Sequence, residues 1–330
     1  MQHSFNNTNL TTPRTSKTLL SVIVVNRNTA DLLVQCLDHI FRSVLAQLPE
    51  VVVMDNGSTD ASTDRVRKKF PNAMVREAGS NLGFARANNI ALAGTTGEFL
   101  LLVNTDALLD RDCAGNLLNL MTTTPHLGMA GPQLVNADGS LQTSYEAVPT
   151  LATETLNRSL LKRLFPRRFP GKAIHISEPQ QVEALIGAVM MIRREALVQM
   201  GGFDEDFFFF LEETDLALRM RRSGWLVMHH PQAKAIHLQG ETAKAYRIGA
   251  RVEFYRSRYT FFRKHYGLLS TFFLKCVLTA NLTLNVLFLG AAHVITVGKS
   301  QKIEDIFRVR AALWIWHLRG CPKGAGLPRE

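Results

Sequence analysis

Carboxylates at the ends of apolar runs are the residues of this chain best placed to do chemistry. Leu100-Leu101-Leu102-Val103 runs into Asn104-Thr105-Asp106, and Val51-Val52-Val53-Met54 runs into Asp55-Asn56-Gly57-Ser58-Thr59-Asp60. An apolar strand that stops on a short polar turn with one carboxylate is how an α/β sheet presents a metal ligand at its carboxyl edge. Further along, a helix-like stretch carries Glu212, Glu213 and Asp215. Together these ends point to a site that holds a divalent cation, a phosphorylated ligand and a general base. Each turn is also ordinary loop chemistry, because Asx and Ser/Thr side chains cap backbone groups and Gly accepts positive φ. Order weighs against that plainer use, since both strand-end carboxylates follow uncharged strands of a βαβα series, where ligand crevices form.

The elements that must position these groups are legible as alternating periods. Strands are predicted near Leu19 to Val25, Val51 to Asp55, Ala73 to Glu77 and Phe99 to Val103, with helices near Thr29 to Ser43, Ala61 to Phe70, Gly83 to Ala93 and Asp112 to Thr122. This is an α/β chain with an open, mostly parallel, Rossmann-like sheet flanked by helices. Gly128 to Val135, the Asp138-Gly139 turn and Leu141 to Tyr145 then predict a hairpin-like addition. From Pro149 to Lys172 the pattern becomes a basic amphipathic helix closed by Pro166, Pro170 and Gly171, read as an insertion over the acceptor side.

Two other nucleotide-binding folds share this alternation. A dinucleotide-binding domain needs a Gly-x-Gly-x-x-Gly turn after its first strand, yet Val25 leads into Asn26-Arg27-Asn28, and no Walker A Gly-Lys-Ser/Thr loop is present. What remains resembles family 2 of the inverting, GT-A-fold glycosyltransferases, and within it the bacterial rhamnosyltransferase-type members. The resemblance runs over roughly residues 19 to 265. It is carried by Ser21-Val22-Ile23-Val24-Val25-Asn26, Asp55-Asn56-Gly57-Ser58-Thr59-Asp60, Asn81-Leu82-Gly83-Phe84-Ala85-Arg86-Ala87-Asn88-Asn89, Asn104-Thr105-Asp106 and Phe210-Leu211-Glu212-Glu213-Thr214-Asp215-Leu216.

The resemblance implies a nucleotide-sugar site. Val25, Asn26 and Asn28 would line it from the first strand end, and Asp55, Asn56 and Gly57 from the second, with Asp55 accepting from the imino group of uracil or thymine. Asn81, Gly83 and Arg86 would contact nucleotide or diphosphate. Asn104, Thr105 and Asp106 match the family's Asp-x-Asp motif with Asn104 in place of its first Asp, which leaves Asp106 as first ligand of Mg²⁺ or Mn²⁺. His237, in Ala235-Ile236-His237-Leu238-Gln239-Gly240, resembles a late His-x-x-Gly segment that touches metal or diphosphate, and Gly187-Ala188 resembles a strand beside the acceptor pocket. Inversion by direct displacement needs a base for the acceptor hydroxyl. Glu213 aligns with the Asp of the family's Glu-Asp pair, and its extra methylene leaves Glu212 and Asp215 open as alternatives; the Phe207-Phe208-Phe209-Phe210-Leu211 approach is apolar enough to raise a carboxyl pKa.

Composition frames the site. The chain has 330 residues, 46% hydrophobic, and its four cysteines are scattered without ligand or framework spacing, which fits a reducing compartment. Residues Met1 to Thr18 read as a disordered lead-in, not a signal peptide or anchor. The catalytic domain is expected over 19–265, with a nucleotide-sugar half at 19–135 and an acceptor half at 136–265, and a helical membrane-associated region over 266–330. The net charge of +10 concentrates in Arg158, Lys162, Arg163, Arg167, Arg168 and Lys172 and again in Arg247, Arg251, Arg256, Arg258, Arg263 and Lys264. With no nucleic-acid recognition motif beside them, these clusters point to anionic phospholipid and a lipid pyrophosphate acceptor, or to solvated helix faces, and not to nucleic acid.

From Cys276 to Val297 there is no Asp, Glu, Lys or Arg, a span long enough to cross a bilayer, and Lys302 to Arg319 has the pattern of a surface-lying helix. A buried hairpin or a homodimer interface is the competing use. The expectation is therefore an inverting, metal-dependent transferase at the cytoplasmic face of a bacterial inner membrane. It would move a sugar, L-rhamnose from dTDP-rhamnose, onto a lipid-linked saccharide in cell-surface polysaccharide synthesis. A UDP-linked hexose, N-acetylhexosamine or galactofuranose donor is the second reading, and a catalytically inactive nucleotide-sugar-binding scaffold is the reading from another class.

Overall fold

A computed structural model describes residues 19–156, 163, 177–238, 247–295 and 301–329. The lead-in at 1–18, all of the first basic cluster except Arg163, Gln239 to Thr242 of the late His segment, and Val297 lie outside the described residues.

The chain opens with β1 (Leu20–Asn26), α1 (Ala30–Phe41), β2 (Glu50–Asp55), α2 (Ser62–Lys69), β3 (Ala73–Glu77), α3 (Phe84–Ala93) and β4 (Phe99–Val103). These are the predicted elements to within about two residues, because their apolar spacing matches what they bury. In α1 the buried residues Leu33, Cys36, Leu37 and Ile40 recur at helical spacing on the face turned to the sheet. In β4 every residue is buried, as expected of a strand covered on both faces.

Next come β5 (Ala107–Leu109), α4 (Cys113–Thr123), β6 (Leu127–Val135), β7 (Tyr145–Glu146), α5 (Leu151–Thr155), β8 (Gln180–Gln181), β9 (Ala184–Leu185), β10 (Val189–Arg193), α6 (Arg194–Gln199), α7 (Glu212–Arg222) and β11 (Leu226–His237). The main sheet runs β3-β2-β1-β4-β10-β6-β11-β5, with β8 beside β11. Its first four strands are parallel; β10 reverses against both β4 and β6, β11 is again parallel to β6, and β5 is antiparallel to β11. The carboxyl ends of β1, β2 and β4 therefore lie on one edge. Two apolar clusters fill the two faces of this sheet, one under α1 and α4, the other under α3, α6 and α7.

The predicted hairpin takes a different form. β6 is an interior strand between β10 and β11, and the Asp138-Gly139 turn returns only to a single bridge, Val135 to Leu141. A nine-residue, mostly buried strand buries more apolar area in the sheet than in a two-stranded ribbon. Tyr145 and Glu146 instead pair with Ala184 and Leu185. At the start of the expected basic helix only the short α5 is described, its Thr150 side chain capping Thr153.

The C-terminal part consists of α8 (Arg247–Ile295) and α9 (Gln301–Leu318). Gly267, at φ 84° and ψ 177°, breaks α8 into two legs. They fold back on each other, since Lys275 sits over the Tyr259 ring. Helix α9 runs antiparallel along the second leg, with Trp314 donating to Thr283 and Phe307 stacked on His293. Tyr259, Phe261, Phe262, Leu274, Leu278, Leu282, Leu313 and Trp316 join Phe207, Leu211 and Leu218 in a third buried cluster, so the helices are fastened to the α7 side of the domain.

The second leg is also apolar outside: Leu269 is 87% exposed and Phe288 75%, with Leu268, Phe272, Leu284 and Leu287 on the same unpacked surface. The second basic cluster does not add to this surface as expected. Arg247 faces Asp305, Arg256 faces Glu253, Arg258 faces Glu154, Arg263 faces Asp206, and Lys264 faces Asp204 and Asp215, so five of its six members meet carboxylates of the chain itself. All four cysteines are free.

Candidate active site

The turns after β1 and β2 are stitched into one polar floor. Asn26 Nδ2 donates to Asp55 Oδ1 at 3.1 Å and to Ser58 Oγ at 3.0 Å, and Ser58 N donates back to Asp55 Oδ2 at 2.9 Å. Asn28 takes the left-handed backbone its residue type tolerates, φ 53°, and its Oδ1 accepts from Thr59 N at 2.7 Å. Asn56 reaches forward, donating to Asn81 Oδ1 at 3.1 Å and accepting from Leu82 N at 2.8 Å. Gly57 is required where it stands: its φ is 75°, and a Cβ there would lie 2.7 Å from the Ser80 carbonyl carbon.

The turn after β4 is fixed from both sides. Asn104 N donates to Ala188 O at 2.9 Å, Thr29 Oγ1 to Thr105 Oγ1 at 3.0 Å, and Leu238 N to Asp106 O at 2.9 Å. The last bond brings His237 to the carboxylate, with Nε2 at 3.7 Å from Asp106 Oδ1. Gln142 holds the other side of that ring, Oε1 lying 3.2 Å from His237 Nδ1 while its Nε2 donates to the His237 carbonyl. Burial pushes the imidazole pKa down, more than the Asp106 charge raises it, so the ring stays neutral and able to ligate. Among the described residues no group of three or more His, Cys, Asp or Glu surrounds a point. Asp106 and His237 thus set one carboxylate and one imidazole side by side in the cavity wall.

Both sets of residues face one cavity of about 290 Å³. Val25, Asn26, Asn56, Asn81 and Gly83 line it on one side, Asn104, Thr105, Asp106 and His237 on another, and Glu212 and Glu213 on a third. Of the other predicted residues, Asp55 lies beneath Asn26, Asn28 and Gly57 shape the loops behind, and Arg86 is half-exposed, 3.7 Å from Glu205. Asp215 points away into a separate ion cluster.

Helix α7 presents its acids from a strained entry. Phe210 and Leu211 both have positive φ, 72° and 66°, without being glycine. Such residues cost about 1–3 kcal/mol each and persist only when their surroundings impose them. Here Phe84 N donates to Phe208 O at 2.7 Å, Ser257 donates to Phe209 O at 2.7 Å, and Phe210 packs edge-on to Phe254. The result is a buried Glu212 and a partly buried Glu213, each with a covered Oε2 that no described group hydrogen-bonds. Burial raises the Glu213 pKa to about 7, helped by the Glu146 charge; burial and the Glu213 charge raise Glu212. Gly187 leaves space along Glu213, since a Cβ there would come 3.4 Å from its Cγ.

Asp215, in the same helical turn, meets the reverse environment. His265 lies 2.8 Å from its Oδ1, Lys264 3.0 Å and Arg219 2.7 Å from its Oδ2. Burial alone would raise its pKa, but these partners bring it down to about 2. Sequence reasoning missed Arg27, Ala250 and Leu327 in the cavity wall. No motif marks the last two, which arrive from elements far along the chain.

A mixed sheet whose parallel edge opens on such a cavity is a GT-A-like fold, and two solved structures share it. One is the mannosyltransferase PcManGT from Pyrobaculum calidifontis in complex with GDP-Man and Mn²⁺, with TM-score 0.53 and 19% identity over 95% of this chain and 91% of that one. The other is GalNAc-T7 with UDP, GalNAc and Mn²⁺, with TM-score 0.52 and 16% identity over 68% of this chain and 44% of that one. The chain belongs to glycosyl transferase family 2, whose model matches residues 21–201. It is 30% identical over 203 residues to the N-acetylglucosaminyl-diphospho-decaprenol L-rhamnosyltransferase of Mycobacterium tuberculosis, a match spanning 57% of this chain and 66% of that protein. It is 25% identical over 226 residues to the low-salt glycan biosynthesis hexosyltransferase Agl10 of Haloferax volcanii, spanning 67% of each.

Proposed function

We propose that this protein is an inverting, metal-dependent glycosyltransferase that moves L-rhamnose from dTDP-L-rhamnose to a lipid-linked saccharide in cell-surface polysaccharide synthesis. The observation that carries the reading is the single cavity bounded by the Asp106–His237 pair and by Glu213, whose carboxyl has a pKa of about 7. A donor diphosphate held at Asn104, Thr105 and Asp106 leaves its anomeric carbon open to the Glu213 side. The acceptor oxygen bonds to that carbon as the sugar–phosphate bond breaks. Glu213 takes the hydroxyl proton, and the electron pair of the broken bond leaves on the diphosphate. Asp106 and His237 would hold a divalent cation, which would neutralise the charge of that diphosphate. Asn26, held from beneath by Asp55, forms the pyrimidine end, and Asn81 the side of the nucleotide.

Glu213 is preferred as base because it faces the cavity with an unbonded oxygen and a pKa near neutrality; Glu212 is next to it, and the ion-paired Asp215 serves to fix the helix. The acceptor class and the rhamnosyl donor are supported by the mycobacterial relative, an N-acetylglucosaminyl-diphospho-decaprenol L-rhamnosyltransferase. Attachment to the cytoplasmic face of the bacterial inner membrane rests on the exposed apolar surface of α8, the one helix among those described that is long and apolar enough to cross a bilayer. We put the change from transferase domain to membrane-associated region near residue 265, a reading that the break in α8 at Gly267 supports.

Thermal shift with dTDP-rhamnose, UDP-glucose, UDP-N-acetylglucosamine and UDP-galactofuranose, each with and without Mn²⁺, followed by transfer assays on polyprenyl-diphosphate saccharides, tests this directly. Mn²⁺-dependent stabilisation by dTDP-rhamnose and transfer from it are expected. Preference for a UDP sugar replaces the donor, and binding without transfer to any acceptor leaves a scaffold.

A further inference from the structure

The segment after α9 returns across the molecule to the cavity. Trp316 Nε1 donates to Pro322 O at 3.1 Å, and Arg256 donates to the carbonyls of Pro322, Lys323 and Ala325. Leu327 then lines the cavity itself. Asn81 Nδ2 donates to Pro328 O at 2.7 Å, and Arg329 closes the run, 2.6 Å from the buried Glu253 and 4.2 Å over the Phe208 ring. None of these residues carries a motif, and the family match ends at residue 201.

We propose that Cys321–Arg329 is a lid that completes the nucleoside diphosphate pocket and retains the donor, with the Arg329–Glu253 pair as its latch. This rests on the donor reading given above. Three features favour a retaining wall over a plug. With the segment in place, a cavity of about 290 Å³ stays open beside Leu327, and Asp106 and Glu213 still face it. The contact at Asn81 uses only its amide nitrogen, while its oxygen still accepts from Asn56 and Gly83, so the lid orders the polar wall without displacing it. The latch is specific: Glu253 is fully buried, and Arg329 is one of two arginines that neutralise it, so an open lid leaves that carboxylate short of a partner.

The backbone contact beneath the lid is as close as glycine permits. A Cβ on Gly249, in the first turn of α8, would lie 2.7 Å from the Gly326 carbonyl oxygen. Gly249→Ala therefore lifts the lid while improving helix propensity, and it leaves the ion pair intact.

The test is dTDP and UDP binding in Mn²⁺, with equilibrium affinity and stopped-flow off-rate measured on the full chain, on Arg329→Ala and on Gly249→Ala. Both variants are expected to bind about tenfold more weakly through a faster off-rate, Gly249→Ala with Tm close to wild type and Arg329→Ala with a lower Tm because Glu253 loses a partner, and Arg329→Lys to recover part of both losses. Equal or tighter binding by both variants overturns the lid, tighter binding marking the segment as a plug. If the unaltered chain binds neither nucleotide, the donor reading itself falls and the lid with it.

Discussion

Two regions of one helical turn show how this fold divides its carboxylates. At Glu212 and Glu213 the wall of the cavity is aromatic, each side chain keeps an oxygen without a described partner, and both pKa values are raised. Less than one turn further, Asp215 is surrounded by His265, Lys264 and Arg219 and titrates near 2. The first environment destabilises an ion that the proposed chemistry needs. The second consumes an ion to hold α7 against α8. The same residue class is thus left ready to titrate in one place and tied into ion pairs in the next, and the strained Phe210–Leu211 entry sets which acid faces which side.

The sharpest way to break this contrast is to neutralise each acid in turn. Glu213→Gln is expected to lower kcat by about 10²- to 10⁴-fold with donor affinity nearly unchanged, since proton transfer acts only in the transition state. In the unaltered enzyme kcat should rise with pH through about 7, where Glu213 becomes a base. A pH–rate profile that keeps this limb in the Gln variant moves the role to Glu212. Stability runs the other way. A carboxyl whose folded pKa is raised from 4.5 to about 7 gives stability that is lost as pH climbs through that range. Glu213→Gln should therefore melt higher than wild type above pH 7.

The opposite wall is tested by Asp106→Ala, expected to remove most turnover, on the order of 10³-fold, because several kcal/mol of charge stabilisation are lost. Mn²⁺ should no longer sharpen nucleotide binding in calorimetry; activity that persists in both the variant and EDTA excludes the metal role. Asp215→Asn comes next and should act on folding, destabilising by about 3 kcal/mol because it strands buried cationic partners. Its own contribution has the reverse sign to Glu213: with a pKa lowered from 3.8 to about 2, it is present at neutral pH and fades as pH falls through that window. Melting curves at pH 7 that match wild type would refute the anchoring role.

The last test concerns the exposed leg of α8. Replacing Leu269, Phe272 and Phe288 by Ser should shift the protein from the membrane to the soluble fraction, each side chain contributing roughly 1.5–3 kcal/mol of apolar transfer. High salt alone should not, because the neighbouring basic residues are paired within the chain. A wild-type protein that is monodisperse without detergent or lipid gives this face to a homodimer instead.

Much of the donor side was legible in the residues themselves. The continuous apolar runs Val51–Val53 and Leu100–Val103, the helical spacing of Leu33, Leu37 and Ile40, and the turn chemistry of Asn26, Asp55, Gly57 and Asn104–Asp106 are all local properties. Parallel strands then bring those turns to one edge without further information. What tertiary structure alone decided depends on contacts between distant segments. The reversal of β10 turned an expected hairpin strand into an interior one. The surroundings of Glu213 and Asp215 come from Glu146 and from His265 and Lys264, so their order in the chain ranked neither. The second basic cluster was spent on internal ion pairs, and Leu327 reached the cavity from the far end of the sequence. Charge and desolvation act through space, and no spacing along the chain records them.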